Sequence, residues 1–434
     1  MNEVNKFFAS KSFAVIGASR DTNKVGHIIF KNLLDTKQNV VGINPKAEHI
    51  LNRKIYKDIF EVPYKIDCLI IATPPQTVPA ILRQAGRKRI PFAVIITAGF
   101  GETENHKLEK QILEIAKEEN IRLLGPNCFG YIDTSKNINT TFYTGEVQKG
   151  TVAFLSQSGA IGSAMLDKIG KFSKFVSLGN AIDLTFTDFV EYLIKDKETK
   201  VICLYIESLS VNEGRRFIDI CKKSTKPIIA IKSGKTKSGQ KAASTHTSSL
   251  ASDSKIYTGI FNQSKIIEAT SITEMFNIAK IKLKYPIIKN KGVIITNAGG
   301  YGVLTSDYCE ENNIHLTKLS PKTIGKLNTV LPKNWSHNNP IDIIGDATSQ
   351  RYNDTLQIIE KDPTINFVIL LLTPQYMSEP EKTAKILLKF KKPIFTSFIG
   401  GKQVLEARKF LNQFKVLNYS EPENMCKIIG KVLD

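Results

Sequence analysis

Short apolar runs alternate with amphipathic stretches from one end of the chain to the other. The first block holds the runs FAVIGA (13–18), VVGIN (40–44), DCLIIAT (67–73), FAVIITAG (92–99) and IRLLG (121–125). Each is too short for a helix and continuously apolar, as a strand covered on both faces is. Between them lie stretches of helical spacing around 25–35, after Pro74 and Pro75, and in the charged segment that precedes residue 121. GPNCFG (125–130) closes the block. Such alternation predicts βα units and parallel sheets. Glycines and prolines stand where the strands end, the edge at which open α/β sheets hold their ligands.

Two further blocks repeat one another. One opens at Gly150 with GTVAFLSQSGAIGSAMLD, the other at Gly292 with GVIITNAGGYGVLTSDYCE. Each reads as a buried strand, a glycine-containing turn and a helix. Each continues with an Asn-x-x-Asp element (NAID ending at Asp183, NPID ending at Asp342), an apolar strand (VICLYIE; FVILLLT), a helix and a Lys-Pro strand (KPIIAIK; KPIFTSF). The whole is an α/β architecture: a Rossmann-like domain over 1–130, then two flavodoxin-like parallel-sheet domains over 150–284 and 292–434. KYPIIKNK (284–291) is the expected linker.

Composition narrows the class. A chain of 434 residues with 42% hydrophobic content suits two or three packed cores. No run approaches the roughly 18 apolar residues of a membrane span, and the N-terminus lacks the apolar centre of a signal peptide. The six cysteines show no CxxC spacing, so neither a zinc site nor a disulfide framework is expected. Reduced thiols and a cytoplasmic location follow. The net charge of +19 is lysine spread along helices, without interleaved base-stacking aromatics; it fits a solvated surface and a phosphate-bearing ligand rather than nucleic acid.

Four stretches carry candidate chemistry. GASRDTNKVG (17–26) follows the first strand and opens the first helix, but Ser19 stands where a dinucleotide fingerprint has its second glycine. The turn serves either as a cradle for one phosphate group, with Ser19, Arg20 and Lys24 as donors, or as a plain strand-to-helix turn. SQSGAIG (156–162) puts two serines and a glycine at a helix N-terminus, where the dipole term favours an anion by about 0.3–2 kcal/mol. The same serines equally serve as caps. NAGG (297–300) has the same geometry without hydroxyls and reads as a tight turn. His246, within KAASTHTSSL (241–250), has neither an apolar face nor a His or Cys neighbour, so metal binding is not expected. Its imidazole is either a nucleophile able to take a phosphoryl group or an exposed side chain near a helix start. Glu207, closing the strand YIE, is the carboxylate best placed to hold the other ring proton.

Taken together, VIGASRDTNKVG, LLGPNCFGYID, GTVAFLSQSGAIG, SLGNAIDLTFTDFVEYL, YIESL, KSGKTKSGQKAASTHTSSLASD and NAGGYGVLTSD resemble the α subunit of NDP-forming acyl-CoA synthetases, typified by ADP-forming acetyl-CoA synthetase, in the succinyl-CoA synthetase superfamily. The resemblance covers essentially the whole chain. It implies a ligase reaction, acyl-CoA, phosphate and ADP giving carboxylate, CoA and ATP by way of an acyl phosphate and a phosphohistidine at His246. Glu207 would stabilise that histidine. The first domain would bind coenzyme A through Gly17, Ala18, Ser19, Arg20, Lys24, Asn44, Pro45, Lys46, Thr73, Pro74, Pro75, Ala98, Gly99, Asn127 and Cys128. Ser156, Gln157, Ser158 and Gly159 would hold the phosphate.

The chain departs from the family pattern at Tyr301, where relatives usually carry proline, and in SLSVNEG (208–214), which is looser than the usual glycine-rich continuation. No stretch resembles an ATP-grasp module. The resemblance therefore implies that ADP/ATP and Mg2+ enter through a separate ATP-grasp β subunit, in an assembly such as α2β2. The competing expectation is a CoA-responsive regulatory or scaffold protein that keeps the fold without turnover.

Overall fold

The computed structural model describes residues 3–210, 213–241 and 254–434. The chain divides into two compact units, 1–279 and 280–434. The first unit holds two sheets. Sheet one comprises β1 (Ser12–Ile16), β2 (Asn39–Ile43), β3 (His49–Ile50), β4 (Arg53–Tyr56), β5 (Cys68–Ile71), β6 (Phe92–Ile95) and β7 (Arg122–Leu124), in the order β3-β4-β2-β1-β5-β6-β7. Apart from the antiparallel β3, its strands are parallel and run 3-2-1-4-5-6, the dinucleotide-fold order. The apolar runs foretold β1, β2, β5, β6 and β7 to within a few residues, but not the short β3 and β4. The helix expected at Pro74 begins later, as Val78–Arg87, because Pro75–Thr77 form a separate tight turn.

Sheet two comprises β8 (Tyr131–Asp133), β9 (Ile138–Asn139), β10 (Gln148–Ser156), β11 (Lys171–Ser177), β12 (Val201–Ile206), β13 (Ile228–Lys232) and β14 (Ile267–Glu268). Its five parallel strands follow the flavodoxin order 2-1-3-4-5, with the antiparallel pair β8–β9 added beside β11. The second unit holds sheet three, made of β15 (Gly292–Thr296), β16 (Ile341–Asp342), β17 (Phe367–Leu372), β18 (Ile394–Phe398) and β19 (Leu417–Tyr419), again in the order 2-1-3-4-5. The duplication read from the sequence is thus a duplication of topology.

One part of that duplication does not hold. Asp342 lies within β16, whereas Asn180 and Asp183 lie beyond the end of β11. Asn339 stitches strand starts together, donating to the Gly292 and Thr317 carbonyls (3.1 and 3.0 Å) and accepting from the Ile294 N–H. The two Asn-x-x-Asp elements are therefore not counterparts.

Sheets one and two share one apolar cluster, and the other face of sheet one packs a second. The short helix Glu3–Phe8, which no periodicity foretold, inserts Phe7 and Phe8 into the shared one. Phe7 lies 4.7 Å from the Tyr131 ring and 5.5 Å from Phe92, and Phe8 stacks on Tyr192 at 4.8 Å. Among the described residues no helix is long and apolar enough to cross a membrane.

Candidate functional site

The turn after β1 is shaped by close approach. Gly17 has φ +91°, and a Cβ there would sit 2.5 Å from the Ala72 carbonyl oxygen; one at Gly26 would collide with the Gly17 carbonyl. These two glycines let the helix Val25–Leu34 start directly against the strand. Between them, Ser19 accepts from the Asp21 N–H at 3.1 Å, and the Asn44 amide donates to the Ala18 carbonyl at 2.7 Å. Arg20, Lys24, Pro45 and Lys46 are exposed beside this turn. Thr73, Pro74 and Pro75 follow β5, Ala98 and Gly99 follow β6, and Asn127 and Cys128 follow β7. All the sequence-derived cofactor residues therefore stand at the carboxyl edge of sheet one.

The segment after β11 is fastened to this edge. Asn180, Ile182 and Leu184 donate backbone N–H groups to the carbonyls of Pro126, Gly125 and Leu123. Asp183 accepts from the Arg122 guanidinium at 3.0 Å and the Leu123 N–H at 2.7 Å. The Asn180 amide also reaches Glu102 (2.7 Å) and Glu109 (2.6 Å).

A cavity of about 740 Å³ results, and it brings Thr73, Ala98, Asn127 and Cys128 together with Gln157, Ser158 and Gly159. Gly17, Ser19, Arg20, Asn44 and Lys46 do not line it. Sequence reasoning missed other lining residues, among them Ile96, Thr97, Phe129 and Phe142. Phe129 stood inside the GPNCFG motif; nothing in the sequence marked Phe142. Burial pushes the Cys128 thiol up to about 12, so it lines the cavity as a neutral group.

In the SQSG turn both serines are engaged. The Ser156 hydroxyl donates to the Ser158 carbonyl (2.7 Å) and accepts its N–H (3.1 Å), while the Ser158 hydroxyl caps the helix by accepting from the Ile161 N–H at 3.3 Å. The donors left to an anion are the first N–H groups of the helix Gly159–Ile169, which have no intrahelical partner. The turn at NAGG is built the same way, its hydroxyl coming from the residue just before the motif: Thr296 donates to the Ala298 carbonyl and accepts its N–H, both at 3.0 Å.

Gln157 ties this turn to the next strand end, accepting from the N–H groups of Glu207 (2.6 Å) and Ser208 (3.0 Å). Glu207 follows β12 and is half-buried. Beside it, at the end of β13, the sequence reading overlooked Lys232, a buried amine in register with Ile206. Its ammonium lies 4.7 Å from the Tyr257 ring and donates to the Ser233 carbonyl. Burial holds it below the usual lysine range, a pull that the nearby Glu207 charge partly offsets. Tyr257, on the helix Ser254–Ser264, accepts from the Leu209 N–H at 2.8 Å. His246 lies outside the described residues.

A 3-2-1-4-5-6 sheet followed by two flavodoxin-order sheets is the arrangement of a succinyl-CoA-ligase-like protein. Three family descriptions match in that order: a CoA binding domain over 11–133, a succinyl-CoA ligase like flavodoxin domain over 149–282 and a Ligase-CoA domain over 292–431. The ADP-forming acetate–CoA ligase II subunit alpha of Pyrococcus furiosus is 40% identical over 97% of this chain and 95% of its own. The ADP-forming acetate–CoA ligase of Methanocaldococcus jannaschii is 42% identical over 97% of this chain, which spans only 61% of that relative. Among solved structures, acetyl-coenzyme A synthetase 1 of Ca. Korarchaeum cryptofilum, in complex with phosphate and ADP, superposes with a TM-score of 0.92 at 34% identity, covering 100% of this chain and 96% of its own. The chain belongs to the family of ADP-forming acetate–CoA ligases.

Proposed function

We propose that the chain is the α subunit of an ADP-forming acyl-CoA ligase. The observation that carries this reading is the single cavity in which the loops of the CoA-binding sheet meet the Gly159 helix start. A thioester held there by the sheet-one loops lies against a phosphate held by the helix N–H groups. A phosphate oxygen attacks the thioester carbonyl, the C–S bond breaks, and the CoA thiolate leaves an acyl phosphate. The free ring nitrogen of His246 then attacks phosphorus, releasing the carboxylate. Glu207 accepts a hydrogen bond from the other ring N–H and steadies the charged imidazole. The phosphoryl group finally passes to ADP and regenerates His246. The flank after His246 supports this assignment, because Tyr257 is held two residues from Glu207.

The subunit-alpha name of the Pyrococcus relative leads us to assign ADP, ATP and Mg2+ to a partner subunit with an ATP-grasp module, in an α2β2 assembly. Six free, buried cysteines fit a reducing cytoplasm. The test is incubation with acetyl-CoA and labelled phosphate, with and without the partner subunit. Acid-labile, alkali-stable label on the unmodified chain and none on His246→Ala is the expected result. No label in either, with CoA still bound, supports instead a regulatory CoA-binding protein.

A further inference from the structure

The cavity has a wall that the proposed reaction does not use. Between the sheet-one loops and the helix start at Gly159 it is lined by Ile96, Cys128, Phe129, Phe142 and Ala160. If the thioester carbonyl faces the phosphate turn, the acyl chain must lie against this apolar stretch. Its two aromatic residues are held very differently. Phe129 is fixed: its N–H donates to Ser177 at 2.9 Å, its ring meets Phe175 edge-on at 6.3 Å, and it backs directly onto Gly159, where a Cβ would lie 3.2 Å away. Phe142 is half-buried and lies on an irregular segment after β9. Its ring packs on Phe129 with centroids 4.1 Å apart and planes at 57°.

That segment is pinned from outside. The Asn32 side-chain amide, on the helix Val25–Leu34, donates to the carbonyls on either side of Phe142, Thr141 at 2.9 Å and Tyr143 at 2.8 Å. Asn139 adds a second tie, accepting from the Thr141 N–H at 2.9 Å and its hydroxyl at 2.7 Å. A backbone with no sheet partners is thereby held at one place, and what it presents to the cavity is the Phe142 ring.

We infer that Phe142 is a specificity-determining residue that limits the size of the acyl group. The inference rests on the reading of this cavity as the acyl-CoA site. With Phe129 immovable, the room for an acyl chain is what Phe142 leaves. Asn32 is the positioning residue that keeps the ring there. Hydrophobic pockets discriminate by roughly 10–200-fold per methylene, so loss of a whole ring should be readily measured.

The test is calorimetric titration of the full chain with CoA, acetyl-CoA and phenylacetyl-CoA, in the unmodified protein and in Phe142→Ala, Phe142→Trp and Asn32→Ala. The quantity read is the ratio of phenylacetyl-CoA to acetyl-CoA affinity within each protein. We expect Phe142→Ala to raise it at least about tenfold and Phe142→Trp to lower it, with Asn32→Ala shifting it upward by less. A ratio that stays within about twofold in both Phe142 variants, or moves the same way in both, overturns the inference while leaving the CoA site standing. An unmodified chain that binds neither CoA nor either thioester overturns the site itself, and the inference with it.

Discussion

Sheets two and three are one scaffold carrying two different sets of side chains. Their first turns share most of their hydrogen bonds. Ser156 and Thr296 make the same pair of hydroxyl bonds to the residue two positions on, and Gln157 and Asn297 both accept from the backbone N–H that follows the third strand. Gly162 and Gly302 then donate back to Ser158 and Ala298. Strand register extends the match. Ser156 pairs with Tyr205 as Thr296 pairs with Leu371, which makes Glu207 the counterpart of Thr373. Ile206 pairs with Lys232 as Leu372 pairs with Phe398, so a buried ammonium in one sheet answers a phenyl ring in the other. The turn is shared, and the charges beside it are not. In both sheets the helix start leaves N–H groups without intrahelical partners; the charges that would serve the proposed chemistry stand beside the turn of sheet two.

Making sheet two like sheet three should have the largest effect. Glu207→Thr installs the counterpart residue and removes the carboxylate proposed to steady the imidazole. The initial rate of phosphohistidine labelling should fall by roughly 100-fold or more, the scale of a lost acid–base partner. A rate within about threefold of the unmodified chain would remove Glu207 from the mechanism.

Lys232→Met tests the other charge. Burial disfavours the charged form of Lys232, so an apolar side chain of similar length should leave the unfolding temperature at pH 7 the same or higher. Labelling should nonetheless slow by roughly tenfold, as expected of a charge kept for function at some expense in stability. The pH dependence carries a sign. Burial places the folded amine below its ordinary value of 10.5, so through the interval between the two the unfolded chain holds more protons. The unmodified protein therefore gains stability as pH rises through that interval, and any advantage of Lys232→Met shrinks toward pH 10.5. An advantage that grows with pH would contradict the assignment.

The parallel strands and the duplication were legible because apolar runs and strand-end glycines are local signals. The same locality explains the failures. Helix Glu3–Phe8 has only six residues, too few to show a period, and its place depends on aromatic partners from Phe92 to Tyr192. Phe142 owes its position to an amide that binds its neighbour Thr141 from 109 residues away. Lys232 carried no local signal, because the ring that covers it arrives on the helix Ser254–Ser264. The Asn-x-x-Asp elements matched as letters while one ends a strand path and the other begins one. His246, the most telling residue of the sequence, lies outside the described residues, so its pairing with Glu207 rests on the strand end and the flanking helix.

The smallest expected effect lies in the one position where the two turns differ in capping. Ser158 caps its helix through a side-chain bond to the Ile161 N–H, whereas Ala298 offers the helix Gly299–Glu311 no side-chain cap. Both residues have extended backbone, with φ −90° and −139°, so either position accepts the other's residue without strain. Exchange should then be nearly symmetric. Ser158→Ala should cost about 1 kcal/mol of stability and Ala298→Ser should gain up to about that much, both read from denaturant midpoints. Because Ser158 also lines the cavity, its loss should weaken phosphate-dependent labelling if the hydroxyl turns toward the anion. If it acts only as a cap, stability alone should change. Equal labelling by Ser158→Ala and the unmodified chain would leave the helix N–H groups as the proposed hosts of the anion, with the Ser158 hydroxyl serving the helix alone.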